Sequence, residues 1–327
     1  MNNRGYYFVR SVLLAIIFVA MGTQVYAQAG ATTPPPEGVT TKEVHFYSEG
    51  VQCYGKLFLP KGYSPEGKMA AVVLAPGWEN TETSIESYAT RFAARGLVAM
   101  AIDYRGWGKS GGYVYLAEQV RFDDRLRFSQ HTAKVRIRRK RLIPTDQVLD
   151  IRNAISYLQG ELGIDRNRIG VWGTDIAGGH VAMVAATDPR IRAAVAQTPI
   201  IGGKDKSKRP TLPSSERLKE QIALARYGQA PGTQSAAALM TGQETRSVFA
   251  EYHPFWYVEQ IPQNVAVLFV VAERDSAVDN ETNALAVAKQ LQGPVKIAVM
   301  PSATHMLSGP SAEMAAEHAA EWFLKYL

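Results

Sequence analysis

Three side chains have the types and the placement for proton transfer and nucleophilic attack: Asp175, Asp275 and His305. Asp175 stands in Val171-Trp172-Gly173-Thr174-Asp175-Ile176-Ala177-Gly178-Gly179-His180. The apolar run Arg168 to Trp172 reads as a short buried strand, and Val181 to Ala186 as the start of a helix packed on it. A strand bent into a helix by glycines presents one side chain, here a carboxylate. Asp275, in Ala272-Glu273-Arg274-Asp275, and His305, in Ser302-Ala303-Thr304-His305, each lie just past an expected strand. Residues past the strand ends of a parallel sheet gather along one edge, so the three can meet. Such a site needs a histidine that moves a proton and a carboxylate that orients it. His180, on the helix after the turn, and His253 are weaker candidates.

The elements that must position these residues follow an alternating pattern from about residue 43 onward. Val44 to Tyr47 and Val51 to Leu59, joined through Gly50, read as an antiparallel pair. Ala70 to Ala75 is a buried strand ending at Pro76-Gly77-Trp78-Glu79-Asn80, followed by a helix from Thr83 to Arg95 that Gly96 closes. Leu97 to Tyr104 is the next strand and leads into Arg105-Gly106-Trp107-Gly108-Lys109-Ser110-Gly111-Gly112. Val148, Ile151, Ala154, Ile155 and Leu158 are spaced for a helix over Pro144 to Gln159. Later strands are expected at Ile191 to Ile200, Val265 to Ala272 and Val295 to Met300, with helices over Thr282 to Leu291 and Glu313 to Tyr326. Strands alternating with helices imply a mostly parallel central sheet with helices on both faces, an α/β class chain.

These stretches resemble an α/β-hydrolase, with details similar to dienelactone-hydrolase-like and serine-esterase or peptidase-like relatives. The resemblance rests on Pro76-Gly77-Trp78, on Asp103-Tyr104-Arg105-Gly106-Trp107-Gly108-Lys109-Ser110, on the turn at Asp175 and on the Asp275 and His305 loops, and covers about residues 43–327. It implies the α/β-hydrolase fold with nucleophile, acid and histidine in that chain order. It also implies an oxyanion hole made by the backbone N–H groups of Trp78 and Ile176. The family writes its turn Gly-x-Ser-x-Gly, and Asp175 stands in the serine's place. A second match, Gly108-Lys109-Ser110-Gly111-Gly112, has no helix directly after it, which argues against Ser110 as nucleophile and against a phosphate loop.

A carboxylate attacking an ester carbonyl gives a mixed anhydride and must expel an alkoxide, a far worse leaving group than itself. Attack on a saturated carbon gives instead an alkyl ester of Asp175 that water activated by His305 can hydrolyse. Epoxide hydrolases and haloalkane dehalogenases of the same fold work this way. Their residue after the nucleophile is commonly tryptophan, or arginine in fluoroacetate dehalogenases, whereas this chain has Ile176. Tyr227, Tyr252 and Tyr257 are the candidate substrate-binding side chains. The expectation is a hydrolase of a small organic substrate, with Asp175 as nucleophile or base, His305 activating water and Asp275 orienting His305. No metal and no cofactor is called for. The alternatives are an ester, lactone or peptide-type hydrolase adapted from serine relatives, and a non-catalytic binding protein on a hydrolase fold.

The 327 residues, 46% hydrophobic and 20% charged, have ordinary globular composition. Arg4 and Arg10 precede an apolar run from Val12 to Met21, and Val25-Tyr26-Ala27 follows with small residues for cleavage, so residues 1–27 read as a signal peptide. The run is too short for a stable membrane span. Residues 28–42, with Pro34, Pro35 and Pro36, read as an extended linker, and the protein as periplasmic or secreted. Cys53 is the one cysteine and reads as a small buried hydrophobe. The formal charge of +6 is local: Arg121 to Arg141 holds nine Lys/Arg against Asp123 and Asp124. This basic insertion, 113–143, reads either as a solvated helical segment or as a contact for an anionic surface through 121–141. It lacks the interleaved aromatics of a nucleic-acid platform, and no nucleic-acid partner is expected. Residues 203–253 are too long for a connecting loop and read as a lid-like insertion.

Overall fold

Glu49 and Gly50, both with positive φ, close a hairpin between β1 (Thr40–Ser48) and β2 (Val51–Leu59). Two left-handed residues in the bend match the right-handed twist of paired strands. The computed structural model describes residues 38–118, 120, 121, 125, 129–202, 226 and 252–327. The expected signal peptide, most of the linker and nearly all of the 203–253 insertion lie outside them. Strand pairing begins at Thr40, so the last three residues of the expected linker belong to β1.

After the hairpin come β3 (Met69–Ala75), α1 (Glu86–Ala94), β4 (Val98–Ile102), β5 (Tyr113–Leu116), β6 (Val135–Arg138) and α2 (Pro144–Gly160). Then follow β7 (Ile164–Thr174), α3 (Ile176–Thr187), β8 (Ile191–Gln197), β9 (Ala266–Ala272), α4 (Ala284–Ala288), β10 (Val295–Met300) and α5 (Gly309–Tyr326). One sheet of eight strands has the order β1-β2-β4-β3-β7-β8-β9-β10. β2 runs antiparallel to β1 and β4, and every pairing from β4 to β10 is parallel. This is the α/β-hydrolase fold.

The interior strands β4 and β9 are buried at every residue, as a sheet covered on both faces requires. One face packs Ile151, Ile155 and Val181 from α2 and α3, and the other packs Phe92 and Phe323 from α1 and α5. The expected helix over 282–291 shrinks to α4, one short turn and a half between Asn283 and Lys289.

The basic insertion departs from its helical reading. β5 and β6 pair antiparallel, Tyr113 opposite Arg138 through Leu116 opposite Val135, as a ribbon apart from the main sheet. Val135 and Ile137 are β-branched, and alternation with Arg136 and Arg138 matches a two-residue period rather than a helical one. Arginine's good helix propensity is the weaker influence over so short a span.

Candidate active site

Asp175 sits where β7 turns into α3, at φ 58° and ψ −123°. This is a strained conformation for any side chain but glycine, and the chain holds it from three sides. The Asp175 N–H donates to the Gln197 carbonyl at 2.9 Å, and the Asp175 carbonyl accepts from Gly178 and Ile200 N–H, each at 3.0 Å. Glycine is required two residues earlier: a Cβ on Gly173 would lie 2.5 Å from the Ala177 carbonyl oxygen. The bend is therefore built by backbone and leaves the 175 side chain free to project.

The carboxylate spans two partners. Its Oδ2 accepts the Trp78 backbone N–H at 2.8 Å, and its Oδ1 lies 3.2 Å from His305 Nε2. His305 Nδ1 is 2.8 Å from Asp275 Oδ2, and the Asp275 side chain is fully buried. The other Asp275 oxygen accepts from the Ala277 and Val278 N–H groups, both at 2.9 Å. A residue that also caps its own turn is thereby fixed in orientation toward the imidazole. Burial alone pushes the His305 imidazole down, but hydrogen bonds and charge from Asp175, then Asp275, outweigh it and hold His305 above the ordinary histidine value. Ile176 opens α3, where the first N–H groups have no intrahelical acceptor, and the Trp78 N–H donates to the carboxylate from a neighbouring loop.

Gly77 lets this approach happen. A Cβ there would lie 3.0 Å from Asp175 Cβ and 3.1 Å from Oδ2. Gly77→Ala is expected to push the carboxylate off the Trp78 donor. Turnover should fall about tenfold or more for a destabilisation of about 1–3 kcal/mol, checked by steady-state kinetics beside urea unfolding.

A model of the Alpha/beta hydrolase family matches residues 72–319. The chain belongs to that family. Curated relatives include the quorum-quenching protein AidA of Acinetobacter baumannii (strain MDR-ZJ06), 30% identical over 162 residues, 49% of this chain and 44% of that protein. Another is the thiohydrolase aneE of Aspergillus aculeatus, 25% identical over 171 residues, 52% of this chain and 45% of that protein. The chain thus spans less than half the length of these relatives. Among solved structures, hypothetical protein PA2218 from Pseudomonas aeruginosa superposes with a TM-score of 0.69 at 19% identity, covering 93% of this chain and 99% of that one. DcsB in complex with its substrate analogue gives 0.66 at 18% identity, covering 88% of this chain and all of that one. Likeness at these identities speaks to the fold.

The three candidate tyrosines of this α/β-hydrolase divide. Tyr227 lies outside the described residues. Tyr257 is half-buried in the turn Pro254–Gln260 and packs on the core. Tyr252 is buried, and its hydroxyl meets His180 Nδ1 at 2.5 Å. His180 Nε2 meets Gln147 Oε1 at 2.8 Å. Burial drives the His180 pKa from 6.5 down to about 3, so the ring is neutral and carries one proton. With the Gln147 oxygen as acceptor, that proton is on Nε2, and the Tyr252 hydroxyl donates to Nδ1.

This network is one that sequence reading passed over, because His180 carries no motif apart from its place on the helix. A histidine depressed in the fold holds fewer protons than it does unfolded, so stability is lost as pH falls from about 6.5 toward 3. His180→Gln is expected to remove that proton's contribution. The wild type should lose about 1.4 kcal/mol more per pH unit than the variant between pH 6 and 4, measured by urea unfolding.

Other residues have settled places. Ser110 is buried, accepts the Tyr54 N–H at 2.8 Å and donates to the Asp103 carbonyl at 2.7 Å, which makes it a pin between β2 and the loop after β4. Cys53 is buried in β2, and burial pushes its thiol up to about 12. Glu79, next to the Trp78 donor, also escaped sequence reading. Burial raises its carboxyl against a hydrogen bond from the Trp78 side chain and the charge of Lys140. His253 stacks on Trp256, ring centroids 3.9 Å apart.

Proposed function

We propose that this protein is a hydrolase of a small organic substrate in which Asp175 attacks as a covalent nucleophile. The reading is carried by one observation: the Asp175 carboxylate has one oxygen on a backbone N–H and the other beside His305 Nε2. Asp175 Oδ1 forms a bond to a saturated carbon of the substrate, and the leaving group departs with the electron pair of the bond it breaks. The remaining oxygen, Oδ2, becomes the carbonyl of the ester and stays on the Trp78 N–H. Water then gives a proton to His305 Nε2, and its oxygen adds to the Asp175 Cγ. Negative charge develops on Oδ2, where the Trp78 and Ile176 N–H groups hold it. Collapse expels the alcohol, which takes its proton from His305, and the Asp175 carboxylic acid that remains, carrying the oxygen of the water, releases its proton to solvent to restore the carboxylate. Asp275 holds the imidazole in the tautomer this sequence needs. With its proton turned to His180 and its side chain buried, Tyr252 is not set to act as the acid.

A second reading is favoured by the similarity to a thiohydrolase. In it Asp175 and His305 activate water for direct attack on an acyl carbon, as in ester, lactone or thioester hydrolysis. Isotope placement separates the two. After a screen of epoxides, haloalkanes and activated esters, turnover in ¹⁸O-water should put ¹⁸O into the Asp175 side chain, read by mass spectrometry of its peptide. Label found only in the product would overturn covalent attack and leave the water-activating reading. Asp175→Ser adds a further arm: gain of ester hydrolysis by a variant of an inactive wild type would mean that the aspartate is a relic.

Export completes the proposal, on the charged start, short apolar run and Val25-Tyr26-Ala27 of the first 27 residues. N-terminal sequencing of the secreted chain should begin at Gln28, and an intact Met1 would refute it.

A further inference from the structure

We propose that the β5–β6 ribbon is a docking surface for an anionic lipid bilayer. The proposal is independent of the reaction assigned above. In the ribbon, Val114 lies opposite Ile137 and Leu116 opposite Val135. Side chains alternate along a strand and opposite residues share a face, so these four aliphatic residues form one face. Their exposures are 59%, 62%, 52% and 47%. The other face carries Tyr113, Tyr115, Arg136 and Arg138.

The ribbon is held with its aliphatic face outward. Tyr113 Oη donates to Asp146 Oδ2 at 2.8 Å, and Arg141 donates to Tyr115 Oη at 3.1 Å. The Arg141 guanidinium lies 5.5 Å from the Tyr113 ring centroid. At the ribbon's base, the Lys140 N–H donates to the Gly106 carbonyl at 2.9 Å, and Arg139 donates to the Gly108 carbonyl at 2.5 Å. A ribbon lying on a protein body ordinarily turns aliphatic residues inward and polar ones to water. Here the order is reversed: hydroxyl and guanidinium groups fasten the inner side.

Charge selects the occupant. The segment 121–141 carries nine Lys/Arg against two Asp, more positive charge than the chain's net +6. A second copy of the chain would bring two such clusters together, and like charges repel. A nucleic acid would satisfy the charge but offers nothing apolar to cover four aliphatic side chains. The headgroup layer of an anionic bilayer offers phosphates to exposed basic residues such as Arg121 and Lys134 and acyl carbon about 5–10 Å below the surface to the aliphatic face. No helix among the described residues is long and apolar enough to cross a membrane, and the contact proposed is peripheral.

The test is cosedimentation of the mature protein with vesicles of phosphatidylcholine containing about a third phosphatidylglycerol, against phosphatidylcholine alone. Binding should be about tenfold or more tighter to the anionic vesicles and should fall steeply between about 50 and 300 mM salt. The double variant Val114→Thr/Ile137→Thr keeps β-branched side chains, so the ribbon persists while its aliphatic face is lost. It should bind the anionic vesicles about tenfold or more weakly. Lys134→Gln/Arg121→Gln should reduce binding and its salt dependence together. Hydrolytic turnover without vesicles should be unchanged in both, so that failure here is separable from failure of the proposed reaction. Wild-type affinity in the threonine variant, equal binding to neutral vesicles, tighter binding to a nucleic-acid duplex than to vesicles, or dimerisation through this face without vesicle binding would each overturn the proposal.

Discussion

Asp175→Asn is expected to lower turnover about a thousandfold or more with little change in stability. Asparagine matches aspartate in size and tolerates positive φ, and the bend it occupies is held by backbone hydrogen bonds that do not involve the side chain. The amide oxygen can still accept the Trp78 N–H, so the loop keeps its place. What is lost is the anionic oxygen beside His305. The same change has a second reading, in pH. Asp175 is the larger of the two partners that raise the His305 pKa, so removing its charge should move the His305 titration to lower pH, measured by NMR of the imidazole ring proton. A histidine raised by its partners contributes stability below its ordinary value and loses that contribution as pH rises through the raised value. The small stability advantage of wild type over Asp175→Asn should therefore appear on the acid side and vanish on the alkaline side. Unchanged turnover in the variant would remove Asp175 from the reaction.

Asp150→Leu is expected to destabilise the fold by about 3–5 kcal/mol, the largest stability effect we foresee. Asp150 is buried in α2 and accepts the Arg105 N–H at 2.9 Å and Arg105 Nε at 2.8 Å. Arg105 also donates to Ser48 Oγ at 2.6 Å, at the end of β1. One ion pair thereby joins the loop after β4, the opening hairpin and α2. Leucine has the same branching, though it is bulkier, and it leaves a guanidinium buried without its counter-charge. Arg105→Met/Asp150→Leu removes both charges and should recover most of the loss. Urea midpoints of the three proteins check this, and a double variant no better than Asp150→Leu would show that the cost comes from packing and not from charge.

The sheet was legible in the sequence because its signals are local and redundant. Continuous apolar runs of five to seven residues, such as Val98–Ile102 before Asp103 and Ala266–Ala272 before Glu273, admit few readings other than buried strands. The placing of Asp175, Asp275 and His305 past strand ends followed from the same signals, and the structure brings the three within hydrogen-bonding distance. Side-chain partnerships across the chain were not legible. Nothing near His180 in sequence announces Gln147 or Tyr252, which are 33 and 72 residues away. The missing helix after Gly108-Lys109-Ser110 argues against a nucleophile there, but nothing nearby shows that Ser110 bonds Tyr54, 56 residues earlier. The ribbon was misread because four-residue strands are too short for alternation to outweigh a run of good helix formers.

The bend at residue 175 is secured by its own peptide groups, by glycine at 173 and by a helix whose first ten residues are buried. The scaffold is thus indifferent to which small polar side chain it displays. A lineage built on such a socket can change its reaction by a single replacement there, without passing through a form that fails to fold. Divergence in chemistry need not wait for divergence in shape.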